Sequence, residues 1–245
     1  MTIIEPMRNL KMLIEYDGTS FFGWQSQPEK RTVQGEIEAG LSKLTNEKIK
    51  IIGAGRTDQG VHALGQVANF HTSSMLGFRR IMKSINSLTG EDIYVKNVDE
   101  VEDNFNSRYS AKTKLYQYHI VSEPFPLKIR YNWFIKYKLD ISEMRKSITN
   151  LLGEHDFRHF SAEDDKENKV CKMYDMSLTT DNTHIIIKIE GNKFLRKMVR
   201  GIVGFICDIG RGRFSSSDVE DVFKGKIKDI YFAPPHGLFL KEVRY

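Results

Sequence analysis

The residue of this sequence best placed to do chemistry is Asp58. It lies in Gly53-Ala-Gly-Arg-Thr-Asp-Gln-Gly-Val-His62, a loop punctuated by Gly53, Gly55 and Gly60. Glycine reaches backbone angles closed to other residues, so such a loop turns sharply and lets a ligand approach its main chain. Thr57 and Asp58 can hydrogen-bond locally and fix the turn. The outcome is one carboxylate on a defined loop beside a cation, Arg56. Loop chemistry alone leaves two readings, a turn-capping aspartate or a reactive one, and favours the first because Asp is common in turns.

A reacting carboxylate needs a cation that keeps it ionised and oriented. The candidate is Arg200, on a segment whose periodicity predicts a helix over 193–209. At about 100° per residue, Phe194, Leu195, Met198, Val199, Ile202, Val203, Phe205, Ile206 and Ile209 form a broad apolar arc. Arg196 and Arg200 lie beside it, one turn apart. Gly204 and Cys207 flank Arg200 on its own face, small side chains that let another backbone come close. Arg196 and Lys197 read equally as a solvated basic face. On a strand expected over 112–121, the two-residue period puts Lys112, Lys114, Tyr116, Tyr118 and Ile120 on one face. Rings among lysines suit nucleic acid, stacking on an unpaired base while the lysines meet phosphate. A tyrosine packed in a sheet core is the ordinary alternative.

The elements that must position these groups follow from periodicity. Alternation from Leu10 to Tyr16 predicts a strand, and a polar, aromatic loop through Gly18, Phe21, Phe22, Gly23 and Trp24 follows it. Thr32 can cap a helix with Val33, Ile37, Leu41 and Leu44 inward. Strands near 48–54 and 63–71 bracket the Asp58 loop. A helix near 76–89 buries Phe78, Ile81, Ile85 and Leu88, and a strand runs from Asp92 to Val98. The boundary is set in Asp99–Arg108, where periodicity lapses. The second half reads as a strand near 112–121, a Pro-punctuated loop, a short strand at 133–136 and a helix near 141–152. A polar loop at 153–169 and strands near 171–179 and 184–190 follow, then helices at 193–209 and 216–224 and a strand at 238–244. The expected fold class is α/β (α+β), two related mixed, largely antiparallel sheet units with helices on one side and a cleft between them. The expected domains are 1–107, carrying the Asp58 loop, and 108–245, carrying Tyr116 and Arg200.

Composition agrees with a folded partner of a polyanion. Apolar residues make up 40% of the 245, enough for a core, and no run approaches a membrane span. The net charge of +5 is uneven: residues 1–107 hold 12 Lys and Arg against 14 Asp and Glu, and 108–245 hold 25 against 18. A basic half suits nucleic acid. Two cysteines, Cys171 and Cys207, are too few for a disulfide framework. Glu5, Arg8 and Lys11 stand where a signal peptide needs an apolar region, so a soluble, reduced, cytoplasmic protein is expected. His155, His159 and Cys171 lack the spacing of a zinc site. Gly18 and Gly23 have phosphate-loop spacing, but Trp24 stands where that loop needs Lys. Gly210-Arg-Gly-Arg213 can touch phosphate or simply end a helix.

Gly55-Arg56-Thr57-Asp58, followed by Gly60-Val61-His62-Ala63, resembles the signature loop of the TruA type of tRNA pseudouridine synthases. Eight specified residues surround one variable position, Gln59, where the family usually has Ala or another small or polar residue. Phe194-Leu195-x-x-Met198-Val199-Arg200-x-Ile202-Val203-Gly204 is similar to the family's C-terminal motif, and Ala111-x-x-x-x-Tyr116-x-Tyr118 to its second. Ile14-Glu15-Tyr16-Asp17-Gly18, Phe22-Gly23-Trp24-Gln25, Leu152-Gly153-Glu154-His155-Asp156-Phe157 and Pro235-x-Gly237-Leu238 also have counterparts. Residues 161–171 depart from the longer family loop, which bears on tRNA positioning. The resemblance implies that Asp58 is catalytic, that Arg200 pairs with it, that Tyr116 packs against the target base and that Arg56 helps displace that base. It implies isomerisation of uridine to pseudouridine in the tRNA anticodon stem-loop, at nucleotides 38, 39 and 40. No metal or organic cofactor is implied, and a homodimer with tRNA across both subunits is expected. Two other classes stay open on residues alone: a non-catalytic RNA-binding module, and a hydrolase using Asp58 with His62.

Overall fold

Alternation of inward and outward side chains builds the first strand, β1 (Arg8–Tyr16), in which Leu10, Met12, Ile14 and Tyr16 are buried. The computed structural model describes residues 7–163 and 167–245. Glu5 and the centre of the 161–171 segment, both used in reading the sequence, lie outside them. Contacts divide the chain into two units: residues up to Lys112 with Leu240–Tyr245, and Thr113–Phe239.

In the first unit β1 is followed by α1 (Val33–Thr45), β2 (Ile52–Gly53), β3 (His62–Thr72), α2 (Phe78–Leu88) and β4 (Ile93–Val101). β1 is antiparallel to both β3 and β4, with Met12 opposite Ala68 on one side and Val98 on the other. Thr32 caps α1 as expected, its side chain accepting the Gly35 N–H, and Val33, Ile37 and Leu41 point into the core. In α2 only Ile81 and Ile85 are buried; Phe78 and Leu88, its two end residues, are 38% and 40% exposed. The strand expected at 48–54 shrinks to two residues because side chains replace its ladder. Ile51 N–H donates to Glu38 Oε1 (3.1 Å), and Ile51 O accepts from Gln34 Nε2 (3.3 Å).

The second unit runs β5 (Thr113–Val121), β6 (Trp133–Phe134), α3 (Ile141–Leu151), β7 (Gly153–Asp156), β8 (Val170–Asp181), β9 (His184–Gly191), α4 (Met198–Gly210) and α5 (Asp218–Phe223). Strand order is β5-β9-β8-β7, with β6 parallel to β5 and the other described pairs antiparallel. Two expectations change here. The polar loop at 153–169 opens with β7, whose Gly-Glu-His-Asp has no apolar alternation yet pairs Gly153 with Met173 and Asp156 with Val170. The helix expected from 193 begins at Met198, because Lys197 adopts a left-handed conformation (φ 58°) just before it. Arg196 therefore lies outside the helix and not one helical turn from Arg200.

The chain then forms β10 (Leu238–Arg244), beside β3. Most of the last strand, from Leu240 on, which sequence order assigned to the C-terminal half, thus belongs to the N-terminal unit. The mixed α/β class with largely antiparallel sheet is the one the chain adopts. Among the described residues, no helix is long and apolar enough to cross a membrane.

Candidate active site

The Asp58 loop is tied down on every side of its aspartate. On the way in, Ile52 and Gly53 pair with Asn69 and Ala68 of β3, and Ala54 N–H donates to Val67 O (2.8 Å). Gln66, fully buried on β3, donates from Nε2 to Gly55 O (2.9 Å). At the apex the Thr57 hydroxyl meets the Tyr16 hydroxyl (2.8 Å), and Thr57 O accepts the Trp24 N–H (3.1 Å). On the way out, Val61 N–H donates to Asp58 O (3.2 Å) with Gly60 at φ 76°. That is a type II turn, whose third position favours glycine. Thr57 is buried, Asp58 half-buried and Arg56 exposed. The scaffold is dry while the two charged side chains reach its surface.

The 17–31 loop lies directly on this turn. A Cβ at Gly23 (φ 87°) would stand 2.6 Å from Thr57 O and 3.2 Å from Asp58 C, and one at Gly18 would collide with Val61 O. These are the glycines whose spacing resembled a phosphate loop; the structure uses them for contact between two backbones. Sequence reading missed that role, because a pair of glycines marks conformational freedom without showing which backbone packs on it. His62 anchors the same loop: it is 1% exposed, with Nδ1 3.0 Å from Gly18 N and 3.1 Å from Asp17 Oδ1. A hydrolase built on Asp58 and His62 would need that ring, and it is committed to the Asp17–Gly18 turn.

Burial pushes the Tyr16 phenol far above its ordinary range, so it stays neutral and serves as a fixed hydrogen-bonding post for Thr57. Tyr16→Phe removes the post and leaves a buried hydroxyl to find another partner, costing about 1–3 kcal/mol. Because a displacement of about 1 Å at a reacting group can cost ~10²-fold, the turnover rate is expected to fall roughly 10-fold or more. Affinity for tRNA should stay within about 2-fold, since the mutation removes no surface group. Single-turnover kinetics beside equilibrium binding checks this split.

The second unit holds the other two candidates. Tyr116, on β5 opposite Ile189 of β9, is 6% exposed and meets the edge of the Phe194 ring (centroids 4.9 Å apart, 75° between planes). Two residues on, Tyr118 is fully buried and donates to Pro234 O (2.7 Å), and burial raises its phenol pKa as well. The strand face expected to carry rings and lysines together is interior from Tyr116 to Ile120, while Lys112 is exposed. Arg200 is the third residue of α4 and half-buried. Its Nε donates to Ala233 O (2.7 Å), and its own O accepts the Ala233 N–H (3.0 Å). Gly204, one turn on, allows this: a Cβ there would collide with Tyr231 O. Two cavities of this unit, of about 800 and 230 Å³, lie around the other end of α4 and are lined by neither Tyr116 nor Arg200. His155, set aside as a metal ligand, stacks on Phe223 (4.4 Å) and bonds Leu152 O through Nε2 (2.8 Å).

The site so far is a loop-borne carboxylate on an α/β scaffold, in a chain whose residues 108–245 carry a net positive balance. Residues 12–110 and 148–245 match the family described as tRNA pseudouridine synthase. Proteins named tRNA pseudouridine synthase A are similar over 98% of this chain and 100% of their own length: 43% identical in Caldicellulosiruptor saccharolyticus, 42% in Thermosipho melanesiensis and 41% in Thermoanaerobacter sp. strain X514. A solved structure described as a Cbf5-Nop10-Gar1 complex is 12% identical, with a TM-score of 0.38, covering 94% of this chain and 57% of that one, too remote to locate any residue. The chain belongs to the tRNA pseudouridine synthase family, and to its TruA type. It is an isomerase that converts uridine to pseudouridine in tRNA. Arg56, Asp58 and Arg200 fall within the matched spans; Tyr116 falls between them.

Proposed function

We propose that this protein modifies uridines 38, 39 and 40 of the tRNA anticodon stem-loop, with Asp58 as the catalytic carboxylate. The observation that carries the assignment is the contrast within the loop. Gly55, Thr57 and the Asp58 main chain are each held by hydrogen bonds, while Asp58 as a residue is only half-buried. A charged group so prepositioned loses little on meeting a substrate.

The target uridine must leave the base stack, at a cost of a few kcal/mol. Arg56, exposed two residues before Asp58, is the side chain assigned to displacing it, and Tyr116 supports the extruded base. Asp58 acts as carboxylate, and the family resemblance supports Arg200 as its counter-charge, a guanidinium being a fork of N–H donors that suits a carboxylate. The C1′–N1 bond breaks, the uracil turns while held, and C5 joins C1′. N1 gains a proton and C5 loses one, so the net change is an internal rearrangement. Addition of Asp58 to the sugar and abstraction of the 2′ proton both require the ionised form. No step calls for a metal or an organic cofactor. The family resemblance supports a homodimer with tRNA across two copies, working in the cytoplasm. The excess of Lys and Arg in residues 108–245, 25 against 18, supports phosphate contact.

Carbodiimide-adduct mapping on total tRNA incubated with the wild-type protein tests the assignment of position. Adducts at 38–40 are expected. Adducts confined to other stems or loops would contradict it.

A further inference from the structure

Phe21 and Phe22 are neighbours with opposite fates. Phe21 is buried beneath the Arg31 guanidinium, 4.2 Å from its ring centroid, whereas Phe22 is 42% exposed. One exposed ring is ordinary on a protein surface. This ring is held in place and paired with a cation. Lys30 Nζ lies 4.6 Å from its centroid, a cation–π distance. Phe22 N–H donates to Arg31 O (2.9 Å), Gln27 Nε2 to Phe22 O (3.3 Å) and Lys30 N–H to Gln27 O (3.4 Å). Arg31 is in turn fixed by both oxygens of Asp92, at 2.6 and 2.9 Å. The next residue, Gly23, is the one whose Cα is pressed on the Thr57–Asp58 main chain, 2.6 Å from Thr57 O for an added Cβ. Since adjacent Cα atoms are about 3.8 Å apart, the Phe22 backbone lies within one residue of the segment packed on the Asp58 turn.

We propose that Phe22 and Lys30 form a subsite for the nucleotide flanking the target uridine, its base stacked on the Phe22 ring and its phosphate on the Lys30 ammonium. This rests on the reading of Asp58 as the catalytic carboxylate. Stacking on an aromatic ring is indifferent to base identity, because every base has a π face. Such a platform holds whatever neighbour the target uridine has, which an enzyme working at consecutive positions requires.

The test uses the full-length protein carrying Phe22→Ala, Phe22→Trp, Phe22→Leu or Lys30→Ala, with tRNA binding, KM, single-turnover rate and Tm measured for each. Phe22→Ala should weaken binding and raise KM by about 5- to 150-fold, the loss of one stacked base. Its Tm should move by no more than about 2 °C, because the side chain is largely outside the core. Phe22→Trp should bind like wild type and Phe22→Leu should not. Lys30→Ala should make the dependence of log affinity on log salt shallower by about one. Unchanged affinity in Phe22→Ala, or full recovery by Phe22→Leu, would overturn the subsite. If wild type forms pseudouridine and Asp58→Asn does not while Phe22→Ala binds normally, the subsite alone is wrong. If Asp58→Asn is as active as wild type, the assignment beneath it is wrong.

Discussion

Asp58→Asn is expected to slow pseudouridine formation by about 10³-fold or more while leaving tRNA affinity within a few-fold of wild type. Asparagine keeps the size and one carbonyl oxygen of aspartate, removes the charge and exchanges the second oxygen for an NH2 donor. Gly55, Thr57 and the Asp58 main-chain carbonyl all make bonds that shape the loop, and the substitution leaves those groups in place. Both candidate roles of the carboxylate, attack on the sugar and removal of its 2′ proton, need an anion that an amide cannot supply. Affinity persists because phosphate contacts from lysine and arginine dominate nucleic-acid binding. Single-turnover rates with enzyme in excess, beside binding measured on the same tRNA, separate the two. A Tm unchanged from wild type would show that the loss is chemical.

The largest effect on stability is expected at Gly204. It sits inside α4, where glycine costs about 1 kcal/mol relative to alanine in helix propensity alone. Gly204→Ala should therefore stabilise an isolated helix, yet here the added methyl would enter the space of Tyr231 O and lie 3.2 Å from Ala233 N. Backbone atoms cannot swing aside as a flexible side chain can. The 231–233 segment must move, and with it the Ala233 carbonyl that accepts from Arg200 Nε. Overpacking of this kind costs roughly 1–3 kcal/mol or more, which for a chain of this size lowers Tm by about 2–12 °C. Activity should fall further than stability explains, because Arg200 loses its fixed acceptor. Gly77→Ala is the milder comparison: nothing lies within 4 Å of its added Cβ, so it meets no overpacking and loses at most about 1 kcal/mol as the N-cap of α2. Thermal unfolding of the two variants side by side makes the comparison.

Much of this arrangement is legible in the chain. Period-two alternation marks β1 and β5, and Thr32 marks the start of α1, because those signals are local. The rest is hidden where distant groups intervene. β2 is short because Gln34 and Glu38, on a helix, take the hydrogen bonds that a strand partner would have made. α4 starts late because Lys197, a residue with no special propensity for it, adopts a left-handed conformation. β10 joins the first unit through pairing across most of the chain length, which no local pattern encodes. At the site, Asp58 stands out through its glycines and its family resemblance. The service of Gly18 and Gly23 to that loop does not, since glycine spacing records conformational freedom and not what approaches. Tyr116 shows the same limit: a period of two places it on one face of β5 without saying how little of it, 6%, is exposed for a base.

On the proposed assignment, one carboxylate, presented by a hydrogen-bonded turn, performs the isomerisation. The direct measurement is carbodiimide-adduct mapping at nucleotide resolution on a single tRNA incubated in parallel with wild-type and Asp58→Asn protein, both at concentrations that saturate binding. Adducts in the anticodon stem-loop with wild type, and a blank lane with a variant that still holds the tRNA, is the expected result. Equal adducts in both lanes, or a shortened tRNA in place of an adduct, would contradict it.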